Sequence, residues 1–201
     1  MAGEVAPELH AEHSGGHDPR PLPWQWSAAV TMRRDTREND EMILIAYDGS
    51  ADSQSAVQRA AELMPDQPAT VLTVWEPFDD IMARAGAGML SWPEQGMLDE
   101  IDAASMDSAR TRAEQGAEHA RRAGLHPQVR VGMRGATVAE TILVAADEVE
   151  ANVIVLGTRG LSGLKSLLLG SVSHAVLQHA SRPVLVVPSP EVAARRAAGP
   201  H

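Results

Sequence analysis

An open five-stranded, mostly parallel α/β sheet with helices on both faces is the fold class this chain predicts. Two observations carry that expectation. Its strand-length runs are apolar without a polar face, and they alternate strictly with helix-length amphipathic segments, the pattern of a parallel sheet covered on each side. A third observation places its functional end: an aspartate closes the first run, and a glycine-rich stretch follows the fourth.

The elements follow in order. Residues 42–47 (MILIAY) form a buried strand that stops at Asp48-Gly49-Ser50. Residues 51–64 put Ala56, Val57, Ala60, Ala61 and Met64 on one helical face, and Pro65 and Pro68 punctuate its end. Residues 69–75 (ATVLTVW) are the second strand, and 76–96, with two prolines and three glycines, read as a loop holding a fragment of helix. A long helix over 97–123 carries Met97, Ile101, Ala104, Ala109, Ala113, Ala117 and Ala120 on a stripe suited to close packing on a sheet, and Gly124 ends it. A weaker third strand over 127–132, a helix over 138–149 and a fully apolar fourth strand over 152–156 come next. A helix over 172–180 and a fifth strand over 183–188 complete the domain. Residues 1–40, polar and without either period, are expected to be a flexible arm; the domain spans 41–188, and the tail 189–201 is expected to fray.

Composition limits the functions on offer. A hydrophobic content of 44% supports a real core, which must be aliphatic because the chain has one Tyr, one Phe and four Trp. A net charge of −10 argues against general affinity for nucleic acid or an anionic membrane surface, so any nucleotide must be held by local groups. With no cysteine, disulfides and thiolate chemistry drop out. No apolar run approaches the roughly 18–20 residues of a membrane span. The expectation is a soluble, cytoplasmic protein without membrane partners.

The chemistry converges on two strand ends. Residues 157–171 (GTRGLSGLKSLLLGS) place Gly157, Gly160 and Gly170 with Ser171 behind the last, and Ser171 opens a helix. Glycines let main-chain N–H groups close on an anion, and a helix start adds unpaired donors and the positive end of a dipole. Asp48 follows the first strand, and in a doubly wound sheet strands one and four are commonly neighbours at the switch point where ligands bind. One carboxylate and one anion cradle then share a crevice. Ser171 and Ser173 would take phosphates, Asp48 would accept from a ribose hydroxyl or hold a hydrated magnesium ion, and Val74 would offer an apolar wall to a base. Asp48-Gly49-Ser50 also reads as an N-cap and turn, and the glycines as room for a turn and for helix–sheet packing. Gly163 is followed by Leu164 before Lys165, so this is no Walker P-loop.

Residues 43–50 (ILIAYDGS) and 153–188 (VIVLGTRGLSGLKSLLLGSVSHAVLQHASRPVLVVP) resemble the universal stress protein family, over roughly residues 41–188. The family's ATP motif, Gly, two residues, Gly, nine residues, Gly and Ser or Thr, is met by Gly157, Gly160, Gly170 and Ser171. The resemblance implies an adenine nucleotide alpha hydrolase-like fold with strand order 3-2-1-4-5. It also implies an ATP site built from Ala46, Asp48, Val74, Leu156, Gly157, Arg159, Gly160, Gly170, Ser171, Val172 and Ser173, with Leu156 and Val172 lining the adenine and phosphate ends. Arg159 adds positive charge beside the phosphates. It further implies a homodimer through residues 184–187, and a nucleotide-dependent stress regulator or binding module with an unidentified protein partner. Ser173 stands where a threonine is common.

Two other classes stay open: a weak ATP hydrolase or phosphohydrolase, which would want a second metal-binding carboxylate beside the glycine loop, and a nucleotide-free dimeric interaction protein. His10, His13 and His17 have i, i+3, i+7 spacing but no apolar face, so a solvated arm is the better reading than a metal site. His174 reads as a surface helix residue and Lys165 as an exposed lysine as readily as a phosphate ligand. Trp24 and Trp26 are an unusual pair for a polar arm.

Overall fold

The computed structural model describes residues 41–84, 86, 94–160 and 169–198. The expected arm, with its histidines and tryptophans, and Lys165 lie outside the described residues. The elements in chain order are β1 (Ile43–Ala46), α1 (Ala51–Leu63), β2 (Pro68–Trp75), α2 (Phe78–Arg84), α3 (Gln95–Arg122) and β3 (His126–Met133). They continue through α4 (Val138–Glu148), β4 (Val153–Gly157), α5 (Ser171–His179), β5 (Val184–Val187) and α6 (Pro190–Ala197).

The strands form one five-stranded sheet in the order β3-β2-β1-β4-β5, and every pairing is parallel. Ile45 lies in register with Val71 on one side and Val155 on the other, which makes β1 the centre of the sheet. Because side chains alternate across a strand, β1 feeds two cores. Ile43 and Ile45 pack with Val57, Val71, Val155 and the alanines Ala117 and Ala120. Leu44 packs on the opposite face with Leu72, Ile142, Ala145, Ile154 and Val176. Small residues on α1, α3 and α4 let these helices lie close on the sheet, as their sequence stripes predict.

Three expectations need correction. The α3 stripe is buried only in its second half: Ala109, Ala113, Ala117 and Ala120 are 0–1% exposed, whereas Met97 is 56% exposed. Twenty-eight residues of helix span about 42 Å, and an eight-residue strand about 26 Å, so the helix start has no sheet beneath it. The third strand is not covered on both faces, for at the sheet edge its Val129 and Met133 are exposed. The segment after β5 is not irregular throughout. It forms α6, anchored by Val192, which is buried, and by Ser189, whose N–H donates to Asp52 Oδ1 at 3.2 Å.

Candidate functional site

The sheet order reverses at β1 and β4, which run side by side as expected, and the loops after them open on a cavity of about 400 Å³. That volume lies in the usual range for a small-molecule site. All of the residues assigned from the sequence line it: Ala46 at the end of β1 and Asp48 after it, Val74 on β2, Leu156 and Gly157 at the end of β4. Arg159 and Gly160 follow, with Gly170, Ser171, Val172 and Ser173 at the start of α5.

The apolar wall is the exposed end of a core. Leu156, buried beneath it, continues the cluster of Leu72, Ile142 and Val176. Leu72, Val138 and Ile142 line the cavity as well and were not foreseen. Leu72 precedes Val74 by two residues and so points the same way from β2. Val138 and Ile142 belong to the α4 stripe, which runs past the sheet end. Thr137 caps α4 by accepting the Glu140 N–H at 3.0 Å, and Glu140 Oε2 accepts from the Ala136 N–H at 2.9 Å, a reciprocal cap that fixes where α4 begins.

On the other side, both readings of Asp48-Gly49-Ser50 hold together. Asp48 Oδ1 accepts the Ser50 N–H at 3.0 Å, and Ser50 Oγ caps α1 by accepting the Ser53 N–H at 3.2 Å. Asp48 nevertheless lines the cavity. Beside it, burial and then the Asp48 charge push the Tyr47 phenol up, so Tyr47 stays neutral. Its hydroxyl lies 3.4 Å from His119 Nδ1.

The three motif glycines have different reasons to be glycine. A Cβ on Gly157 would sit 2.7 Å from the Cβ of Asp52 and 2.8 Å from its carbonyl carbon, so this glycine lets α1 close on β4. A Cβ on Gly160 would sit 2.6 Å from Asp48 Oδ2, which brings the loop against the first-strand carboxylate. Gly170 has no side chain to cap α5, so the first-turn N–H groups of Ser171, Val172 and Ser173 carry no side-chain cap beside the cavity. Only this last glycine is primarily a matter of open donors.

Behind the loop stands a residue the sequence did not single out. Asp52, in the first turn of α1 and 5% exposed, accepts from Thr158 Oγ1, from the Arg159 N–H at 3.1 Å and from the Ser189 N–H at 3.2 Å. Burial works to raise its carboxyl, but the Thr158 and Ser189 hydrogen bonds and the Arg159 charge outweigh burial and hold it below the usual carboxylate range. Arg159 Nε lies 3.7 Å from Asp52 Oδ2, beyond hydrogen-bond length, and has no hydrogen-bond partner among the described residues. The positive charge expected at the phosphates is therefore shared with a carboxylate behind it. Ser173 is likewise engaged: its buried hydroxyl lies 2.8 Å from the Thr158 carbonyl and 3.0 Å from that of Gly170. Ser171 is exposed at the helix start, and His174 is an exposed helix residue, as expected.

Among the described residues no group of three or more His, Asp or Glu is placed to hold a metal ion, and no helix is long and apolar enough to cross a membrane.

Fold and site together define a doubly wound α/β protein whose cavity, half apolar and half framed by glycines, opens at the switch point. The chain belongs to the universal stress protein family, whose model matches residues 41–188. It is 31% identical over 145 residues to universal stress protein YxiE of Bacillus subtilis, covering 72% of this chain and 97% of that protein. It is 32% identical over 147 residues to a universal stress protein of Thermus aquaticus, covering 72% and 96%. A crystal structure of a universal stress protein family member from Burkholderia pseudomallei superposes with a TM-score of 0.54 at 26% identity, covering 74% of this chain and 96% of that one.

Proposed function

We propose that the switch-point cavity binds an adenine nucleotide, ATP, and that the protein acts as a nucleotide-dependent regulator or binding module in a stress response. The observation that carries this reading is the joining of three features in one cavity. These are an apolar wall wide enough for a base, the uncapped N-terminus of α5, and Asp48 between them. Val74, Leu156, Val172 and Ala46 suit a base. The α5 N–H groups, Ser171 and Arg159 suit phosphates, and Asp48 suits a ribose hydroxyl or a water of magnesium. The adenine preference comes from the family resemblance, since the glycine spacing reads no base.

Binding without strong catalysis fits the charges better than hydrolysis does. A second carboxylate does lie beside the loop, Asp52, but its oxygens accept from Thr158, Arg159 and Ser189, and it does not line the cavity. It is thus placed for structure and not for a second metal. Asp48, the carboxylate on the cavity, is bound to the Ser50 N–H. The cytoplasmic setting and a homodimer through β5, whose Val184, Leu185 and Val186 are half-buried at the sheet edge, complete the reading.

Native purification followed by acid extraction, together with ATP-induced thermal shift, tests the site. The expected result is adenine nucleotide in the extract and a raised Tm for the wild type, with both lost in Gly170→Trp. A nucleotide-free preparation whose Tm ATP does not move would reject the reading, and steady phosphate release would favour the hydrolase.

A further inference from the structure

Asp52 connects segments that are far apart in the chain, and two of them, the start of α1 and residues 157–160, adjoin the cavity. Its Oδ2 receives the Thr158 hydroxyl and the Arg159 N–H, and its Oδ1 receives the Ser189 N–H after β5. Thr158 passes the connection on. Its N–H donates to the Val187 carbonyl at 3.0 Å, and its carbonyl accepts the Gly170 N–H at 2.7 Å and the Ser173 hydroxyl at 2.8 Å. The two ends of the glycine loop, residue 158 and residue 170, are thereby held together by hydrogen bonds organised around one buried carboxylate. The groups set in place are those that border the cavity: Arg159, Gly160 and the first turn of α5. Asp52 itself does not border it.

We propose that Asp52 is a positioning residue for the anion-binding side of this cavity: by holding Thr158 and Arg159 it fixes the neck of the glycine loop and so sets the affinity for the phosphate part of the ligand. The role rests on the adenine-nucleotide reading above. Two physical points support it beyond the contact itself. A buried carboxylate fully engaged by N–H and O–H donors is rigid, and its engagement directs donors that would otherwise turn freely. The Arg159 guanidinium, held near Asp52 but outside hydrogen-bond range, stays able to turn toward an arriving anion without leaving a carboxylate it is tightly bonded to. The apolar wall shares none of these bonds, so a change at Asp52 separates the phosphate from the base.

The test is a comparison of ATP, AMP and adenosine binding to the full chain by calorimetry, with ligand-observed NMR for the weak adenosine. Asp52→Asn turns one acceptor oxygen into a donor, Thr158→Val removes the hydroxyl at nearly constant shape, and Thr158→Ser restores it. ATP and AMP affinity are expected to fall about tenfold in Asp52→Asn and Thr158→Val, the order expected for losing a charge-assisted bond that orients a contact group. Adenosine affinity should stay at the wild-type value, and Thr158→Ser should behave as wild type. Equal losses for ATP and adenosine, or no loss for any ligand, would overturn the role while leaving the site reading intact. A wild type that binds none of the three would overturn both. Should Asp52→Asn fail to fold, the contrast between Thr158→Val and Thr158→Ser decides alone.

Discussion

The apolar wall of the cavity, Leu72, Val74, Ile142 and Leu156, and its polar wall, the loop ends at 157–160 and 170–173, are held in place by different forces. The first is an extension of a core that also stabilises the sheet: Leu72, Ile142 and Leu156 are 1–4% exposed and pack with Leu44 and Ile154. The second owes its shape to hydrogen bonds among Asp52, Thr158, Gly170 and Ser173. The difference teaches where to look for consequences. A residue of the apolar wall affects stability first and binding second, whereas a residue of the polar wall can alter binding with less effect on the fold.

The largest expected effect is therefore on the apolar side. Ile142→Ala should lower unfolding free energy by about 2–5 kcal/mol in urea denaturation, since it leaves a hole between α4 and the sheet. A loss well under that would mean that the wall is not part of the core. Gly157→Ala comes next, at about 1–3 kcal/mol, because the new Cβ meets main chain that cannot turn away.

Acid titration probes the polar wall with a smaller effect. The Asp52 carboxyl titrates lower in the folded chain than in the unfolded one, where carboxyls of this kind titrate near about 3.9. Its contribution to stability is thus complete above that value and is lost as pH falls through the lower, folded value. Denaturation midpoints between neutral pH and pH about 3 should fall less steeply in Asp52→Asn than in the wild type. An equal slope would remove Asp52 from the ionised groups that hold the loop.

Gly160→Ala should cost least, under about 1 kcal/mol, since its obstacle is the end of the Asp48 side chain, which can rotate. A double-mutant cycle with Asp48→Ala should show the two substitutions to be coupled, the alanine at 160 being better tolerated once the carboxylate is gone. Strict additivity would show that the loop does not rest on Asp48.

Much of this was legible in the chain because parallel strands buried on both faces write themselves as unbroken apolar runs, as ILIA and VIVLG do at β1 and β4. The residues assigned to the cavity share strand ends and one helix start, so topology alone brings them together. What escaped notice depends on distant partners. An acid in the first turn of a helix is ordinarily explained by the helix dipole, and nothing near Asp52 in sequence reveals Thr158 or Ser189. Helix α6 escaped because, among its described side chains, Val192 is the one buried apolar anchor in a run of alanines and arginines. Gly157 looked like part of the cradle because close packing and anion binding call for the same residue, and only the position of Asp52 distinguishes them.

Titration of ATP into the purified wild-type chain, followed by calorimetry, addresses the central claim most directly. The account predicts saturable binding of one nucleotide per chain, abolished by Gly170→Trp in a variant whose circular dichroism matches the wild type. A folded wild type that shows no binding, or a folded Gly170→Trp that binds as well as the wild type, would contradict it.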